Sequence, residues 1–251
     1  MNLHTTIFIL LIFIGSSLNA MEIGFSANYG MHYNDGEITY ELSNDGSFVA
    51  EDGHFSEGYS VGAVFGYSMN ELLALDIRAS FIQSNHHFKQ TGDKIPTQVA
   101  VYDEETGELI GYEIRETTIY NNAEGNTSFI SLDPSLKINI YNNFSFISGL
   151  SLNYSASSSM KLYNELDKGR FIADGYELSA DSTQQILYND EVPEMSNFLI
   201  GITLGFDYEI EMENFSICPE VIFRHYLNDY TKSDSWKMSR INFGVAVRFG
   251  I

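Results

Sequence analysis

The chain has 251 residues, and its 34 acidic against 13 basic side chains give a net charge of −21. That balance argues against nucleic acid or an anionic lipid surface as a partner. The single cysteine, Cys218, excludes an internal disulfide framework.

Tyr (16), Phe (18) and Gly (20) are abundant while Pro (4) is rare, a mixture that favours strands with kinks and tight turns. The N-terminus carries a short apolar run, Ile7 to Ile14, then small residues ending at Ala20. This pattern reads as a secretory signal peptide over 1–20, cleaved after Ala20, although its leading segment lacks Lys and Arg. A single membrane anchor is the alternative, but the run supplies only half of the ~20 residues a spanning helix needs. No Cys lies near the cleavage point, which disfavours a lipid-anchored form. Residues 21–251 suit one all-β domain, a class that runs to roughly 200–250 residues.

The first strand is Glu22 to Tyr33, with Ile23, Phe25, Ala27, Tyr29, Met31 and Tyr33 on one face and Glu22, Gly24, Ser26, Asn28, Gly30 and His32 on the other. A polar loop follows, holding the hairpin signal Ile38 to Leu42 and Ser47 to Val49 around Ser43-Asn44-Asp45-Gly46. Gly58 to Met69 and Leu72 to Gln83 are the next two strands, joined by the short turn Asn70-Glu71. A long loop is expected from about Ser84 to Thr127, with a hairpin inside it where Val99 to Tyr102 and Leu109 to Ile114 flank Asp103-Glu104-Glu105-Thr106-Gly107-Glu108. Ser128 to Ile140 is the fourth strand; Pro134 within it cannot donate a ladder bond, so irregular pairing is expected there. Phe144 to Tyr154, Asn197 to Ile210 and Phe215 to Tyr226 follow, with a second long loop from about Ser155 to Ser196. After a shorter loop, Leu227 to Lys237, the chain closes on Arg240 to Ile251, where every odd position from Ile241 is Ile, Phe or Val.

Connections alternate between long and short, the strand count is even, and each alternating segment matches the ~9–11 residues of a tilted membrane strand. A soluble barrel with the apolar face inward is the competing architecture. The polar face decides between them: it is rich in Gly, Ser, Ala and Asn and carries both charge signs, whereas the Phe, Ile, Leu and Tyr face would overfill an eight-stranded interior. The fold class is therefore all-β, an eight-stranded antiparallel up-and-down transmembrane β-barrel with long external loops.

The closing strand, the stretch Leu204-Gly205-Phe206-Asp207-Tyr208 and the stretch Pro219-Glu220-Val221-Ile222-Phe223-Arg224 resemble strands of small bacterial outer-membrane β-barrel proteins, the superfamily that includes OmpA- and OmpX-like barrels. Most of those end in Phe, Tyr or Trp; here Phe249 stands two positions early and Ile251 is last. The resemblance spans residues 21–251 and carries no catalytic motif. It implies a monomer in the outer membrane, and the even strand count with its short-turn end puts both termini on the periplasmic side. Its partners would be the outer-membrane lipid and an extracellular protein or ligand met through the loops.

Candidate chemistry is sparse. His86-His87 is the most conspicuous pair, but adjacent residues on extended chain face opposite ways and make a poor bidentate metal site. The run Asp103-Glu104-Glu105 with Glu108 lacks the ordered spacing of a calcium loop and reads as a solvated turn. His32, His54 and His225 fall near the outer rim, yet no spacing singles out a nucleophile and its base, so no enzyme, metal or cofactor is assigned. The specific expectation is a paired-charge lumen of Glu22, Asp76, Arg78, Asp133, Lys137, Asp207, Glu220, Arg224 and Arg248. Counting from the short turns sets Asp76 and Arg78 level with Lys137 and Asp133. It also sets Asp207, Glu220 and Arg248 level with Glu22, and Arg224 above Glu220. A lone charge in so narrow a bore costs several kcal/mol, so facing charges should pair and close it. The functional reading is a structural or interaction barrel that displays acidic loops, with a narrow transport channel and a rim-located hydrolase as alternatives.

Overall fold

Period-2 alternation becomes strand almost throughout. The computed structural model describes residues 21–251 apart from 36, 43–45, 52–54, 103–105, 168–176, 179–182, 193 and 233–235. The expected signal peptide, His54 and Asp103-Glu104-Glu105 lie outside the described residues. The strands are β1 (Met21–Asp35), β2 (Glu37–Leu42), β3 (Gly46–Glu51), β4 (Phe55–Ser68), β5 (Leu73–Tyr102), β6 (Leu109–Tyr141), β7 (Phe144–Leu166), β8 (Glu177–Leu178), β9 (Gln184–Asp190), β10 (Phe198–Tyr208), β11 (Ile210–Glu211), β12 (Ser216–Tyr226) and β13 (Lys237–Gly250).

Eight of them, β1, β4, β5, β6, β7, β10, β12 and β13, hydrogen-bond to their neighbours in chain order, and β1 pairs with β13 to close the ring. The result is the expected eight-stranded antiparallel up-and-down barrel. The Ile251 N–H donates to Met21 O at 3.0 Å, so the first and last described residues meet at one end. At that end β4–β5, β6–β7 and β10–β12 are linked by short turns. The tightest runs from Tyr141 to Phe144, where Asn142 takes φ 49°, a conformation that Asn tolerates better than most residues. Pairing of β2 with β3 matches the expected hairpin.

The long connection expected from Ser84 to Thr127 is mostly ladder: the hairpin expected around Val99 to Ile114 is present, and the strands run on into it without the loop expected below it. β5 and β6 run 30 and 33 residues and pair from Leu73↔Ile138 to Tyr102↔Leu109. β7 follows β6 upward to Leu166, and β9 extends this wall sideways. Strand continues past the belt because polar outward and mixed inward residues keep alternating there, so nothing in the sequence stops it. Pro134 pairs with Ile77 on the β5 side, while toward β7 the ladder skips from Leu132↔Leu152 to Ser135↔Gly149 without a shift of register. The missing N–H therefore interrupts the ladder but makes no bulge; the β6–β7 shifts fall at Ser128/Phe129 and Asn139/Tyr141 instead.

Burial divides the barrel into two levels. In the lower level the outward residues are large and apolar and exposed, among them Phe25, Val61, Phe81, Ile130, Leu150, Leu204, Val221 and Phe243. Aromatic rings edge this belt above (Tyr29, Tyr59, Tyr154, Phe198) and below (Tyr141, Phe144, Tyr208, Phe215, Phe249). Inside it lie the buried charges. Above the belt the pattern inverts: Asn85, His87 and Lys89 face out, and Phe88, Phe129, Met160, Leu162, Leu199, Trp236 and Met238 form a buried apolar cluster. The largest apolar core thus sits above the belt.

Candidate functional site: a charge-paired lumen under an aromatic cap

Alternation sends one residue in two of each lower strand into the bore, and the chain fills those positions with charge, hydroxyls and glycine. Arg248 on β13 makes a bidentate pair with Asp76 on β5, Nη1 to Oδ1 at 3.0 Å and Nη2 to Oδ2 at 2.6 Å. Its Nη1 also donates to Glu22 at 3.3 Å, and Asp207 lies 3.8 Å from Nη2. Arg78 donates to Glu220 at 2.5 Å, and Lys137 stands 3.0 Å from Asp207 and 3.5 Å from Glu209. Asp133 accepts from Arg224 at 2.7 Å, Ser131 at 2.8 Å and Ser151 at 2.6 Å. Of the nine expected lumen residues eight are buried and Glu22 is half-buried. Gly66 makes room: a Cβ there would sit 3.2 Å from both Arg248 Nη1 and Glu22 Oε2.

The structure corrects how these residues meet. Arg78 does face Asp133 in the ladder and Asp207 faces Glu220, but Asp76 pairs with Ser135, Lys137 with Ala74, Arg248 with Ser216 and Gly24, and Glu22 with Gly250. Counting from the end turns gives heights along an upright strand. In a closed barrel the strands tilt and stagger, so ladder partners slip relative to those heights. The strongest contacts also run across the bore, between strands that are not neighbours, because a long Arg side chain spans an interior this narrow.

Sequence reasoning missed the upper half of the lumen. Arg240 on β13 is buried, is the register partner of Arg224 and His32, and bonds to Asn242 Oδ1 through Nε. Among the described residues it has no ion pair, so Asp133 is the one carboxylate paired beside two adjacent guanidiniums. Gly30 leaves the space that the Arg240 guanidinium occupies, and a Cβ on Gly58 would meet His32 Nε2 at 2.6 Å. His32 and His86 are both buried, with ring centroids 6.3 Å apart. Tyr230 and Trp236, from the segment between β12 and β13, pack against His86: Tyr230 Oη is 3.0 Å from His86 Nε2 and donates to Thr127 Oγ1. Trp236 packs edge-on to His86 at 5.2 Å and to Phe88 at 5.0 Å. Burial holds the His86 pKa down at about 3 and raises that of the Tyr230 phenol. The signal that could have found this layer is the phase inversion itself: apolar residues move from odd positions through Phe81 to even positions at Ile82 and Phe88.

The other candidates separate. His87 points out beside Glu124 at 3.9 Å while its neighbour His86 points in, as alternation requires. Glu108 is exposed, its N–H donating to Thr106 Oγ1 at 3.3 Å. His225 is outward-facing on β12, with Nδ1 2.9 Å from Ser239 Oγ on β13. Among the described residues no group of three His, Cys, Asp or Glu is placed to hold a metal. An open polar cavity of about 350 Å³ lies at the end where Met21 and Ile251 meet, lined among others by Glu22, Lys137, Glu209 and Arg248.

No family model matches the chain, and no curated protein matches it. Among solved structures it is similar to Ail, the attachment invasion locus protein of Yersinia pestis, at 12% identity over 92% of this chain and 99% of that one, with a TM-score of 0.40. The crystal structure of the outer membrane protein OprG from Pseudomonas aeruginosa gives 11% identity, 93% and 98% coverage and a TM-score of 0.33. For the outer membrane protease OmpT from Escherichia coli the values are 10%, 94% and 98%, and 0.35.

Proposed function

We propose that the protein is an integral outer-membrane barrel whose lumen is closed by paired charges and whose tall acidic wall serves surface interaction or envelope integrity. The observation that carries this reading is the two-level inversion. A continuous belt of outward apolar side chains is bounded by two aromatic girdles, where a lipid environment makes their exposure favourable. Directly above the belt β5 turns Asn85, His87 and Lys89 outward, as water requires, although Leu109, Ile110 and Ile114 are exposed at the top of the wall. In this orientation both chain ends lie on the periplasmic side and β5 to β7 stand outside the cell. The Arg248–Asp76, Arg78–Glu220, Lys137–Asp207 and Arg224–Asp133 pairs cross the bore and leave it filled, which supports a structural role over transport. Reconstitution in a planar bilayer tests the closure: no steady conductance is expected, and a stable open state in the unmodified protein would establish the channel instead. Arg248→Ala should lower barrel stability; unchanged stability with new conductance would count for a pore. The test of location is membrane fractionation, where release of the protein by alkaline carbonate would refute the integral reading.

The His225–Ser239 contact favours a second reading, a hydrolase at the outer rim. A nucleophile needs a base in reach, and this pair supplies one. Among the described residues nothing else bonds the His225 ring to orient it, and the flanking backbone N–H groups are engaged in the sheet. A serine-directed phosphonate that labelled Ser239 in the folded protein, and not in His225→Ala, would raise this reading above the first.

A further inference from the structure

We propose that the upper lumen binds one chloride-sized monovalent anion, held between the Arg224 and Arg240 guanidiniums and beside His32. This goes beyond the surface-interaction reading and requires only that the barrel closes.

The site is one inward row of the sheet. Thr203 on β10 pairs with Arg224 on β12, Arg224 with Arg240 on β13, Arg240 with His32 on β1, and His32 with Ser56 on β4. All five side chains are buried. Ladder partners stand ~4.5–5.5 Å apart, so the two arginines adjoin, and like charges placed directly opposite repel. The row is rich in donors that nothing meets. Arg240 Nη1 and Nη2, Arg224 Nε and Nη1, Thr203 Oγ1 and both His32 ring nitrogens are buried without a hydrogen-bond partner among the described residues. A guanidinium nitrogen only donates, so Arg224 and Arg240 together present four N–H-bearing atoms that only an acceptor can satisfy. Their other nitrogens are taken: Arg224 Nη2 donates to Asp133 at 2.7 Å, and Arg240 Nε donates to Asn242 Oδ1. The unpartnered acceptor on β1, Asn28 Oδ1, belongs to a neutral amide and brings no charge.

Charge then selects the ligand. Among the described residues the buried cations are Arg78, Lys137, Arg224, Arg240 and Arg248. Each of the others has a carboxylate oxygen 2.5 to 3.0 Å away, and Arg240 has no ion pair. An arginine keeps its charge at any working pH, so this one cannot be relieved by losing a proton. Asp133 already serves Arg224, Ser131 and Ser151. Two guanidiniums against one carboxylate leave the row one positive charge in excess. At the other end of the lumen the balance is reversed: Glu22 and Glu209 add to Asp76, Asp207 and Glu220 around Arg78, Lys137 and Arg248. An anion is therefore repelled there and drawn to the upper row. Water could meet the N–H groups but would leave the charge, whereas a monovalent anion answers both. The burial of every side chain in the row favours a small ion over a bulky one.

The test is urea unfolding of the full barrel from lipid vesicles in sodium chloride, sodium bromide and sodium gluconate. Equal ionic strength holds screening constant, so the salts differ in whether a small anion is supplied. Both halides are expected to stabilise the barrel relative to gluconate. Once the site is saturated, the folding equilibrium constant should rise about tenfold for each tenfold increase in halide. Arg240→Met keeps the length of the side chain and removes its charge, so its stability should not distinguish halide from gluconate. Crystals grown in bromide should show an anomalous peak in contact with Arg240 and Arg224. The proposal is overturned if the unmodified barrel is equally stable in halide and gluconate, or if Arg240→Met keeps the full halide dependence. It is also overturned if the bromide crystals show only ordered water in this row. A bromide peak without halide-dependent stability would mean an adventitious ion only and would likewise overturn it. Should Arg240→Met fail to fold, the halide dependence of the unmodified protein and the position of its bromide decide the matter.

Discussion

The lower and upper levels of this barrel are built from the same strands and solve opposite problems. At the belt, Phe81, Ile130 and Leu204 face out while Asp76, Arg78 and Asp133 face in. A few residues higher on β5, Asn85 and His87 face out while His86 and Phe88 face in. Alternation is identical in both; in the outer-membrane reading proposed above, what changes is the medium outside. With lipid around the lower level, the interior receives the polar side chains and satisfies them with cross-bore ion pairs. Where water surrounds it, the hydrophobic effect works in its usual direction and builds an apolar core around Trp236. In that reading the level at which the phase flips marks the edge of the membrane more sharply than the length of any strand, since β5 runs through it without a break.

Substitutions that treat the two levels alike should separate them. The largest effect is expected for Asp133→Ala, which removes the carboxylate from Arg224 and leaves two adjacent guanidiniums and two serines without it. Stranding a buried charge costs about 3–5 kcal/mol, so urea unfolding from vesicles should show a loss of that order. Next, an arginine can be placed on either side of the boundary. Leu204→Arg in the belt should cost about 2–4 kcal/mol, whereas Asn85→Arg above it should stay within about 0.5 kcal/mol. Equal costs at the two positions would erase the boundary.

Acid provides a finer contrast. The His86 pKa is depressed in the folded protein, so its contribution is fully present above pH 6.5 and is lost as pH falls toward about 3. Within that window the unmodified protein should lose roughly 1.4 kcal/mol per pH unit relative to His86→Phe, measured as the difference between their unfolding free energies. The other ionisable groups are common to both proteins and cancel in the difference. The smallest effect is expected outside the wall, where Lys89 and Glu165 stand 3.8 Å apart and are each about a third or more exposed. Lys89→Ala should change stability by no more than about 0.5 kcal/mol, because exposed ion pairs are screened and entropically loose.

Read from residues alone, the eight barrel strands, their inward and outward faces and the short-turn end were all legible, because a period of two needs only local chemistry to be seen. Glu22, Asp76, Arg78, Asp133, Lys137, Asp207, Glu220, Arg224 and Arg248 could be assigned to one interior on the same ground. The partners within it could not. That Arg248 grips Asp76, and that Arg78 passes over Asp133 to reach Glu220, follow from the stagger of tilted strands and the width of the bore, quantities defined only once the sheet closes. The same closure brought Trp236 over His86, residues 150 positions apart in sequence whose encounter no local pattern encodes. Which way each side chain points was thus fixed by the amino-acid order, and which side chain it meets was decided by tertiary structure, because alternation is a property of one strand and pairing across a lumen is a property of the whole ring.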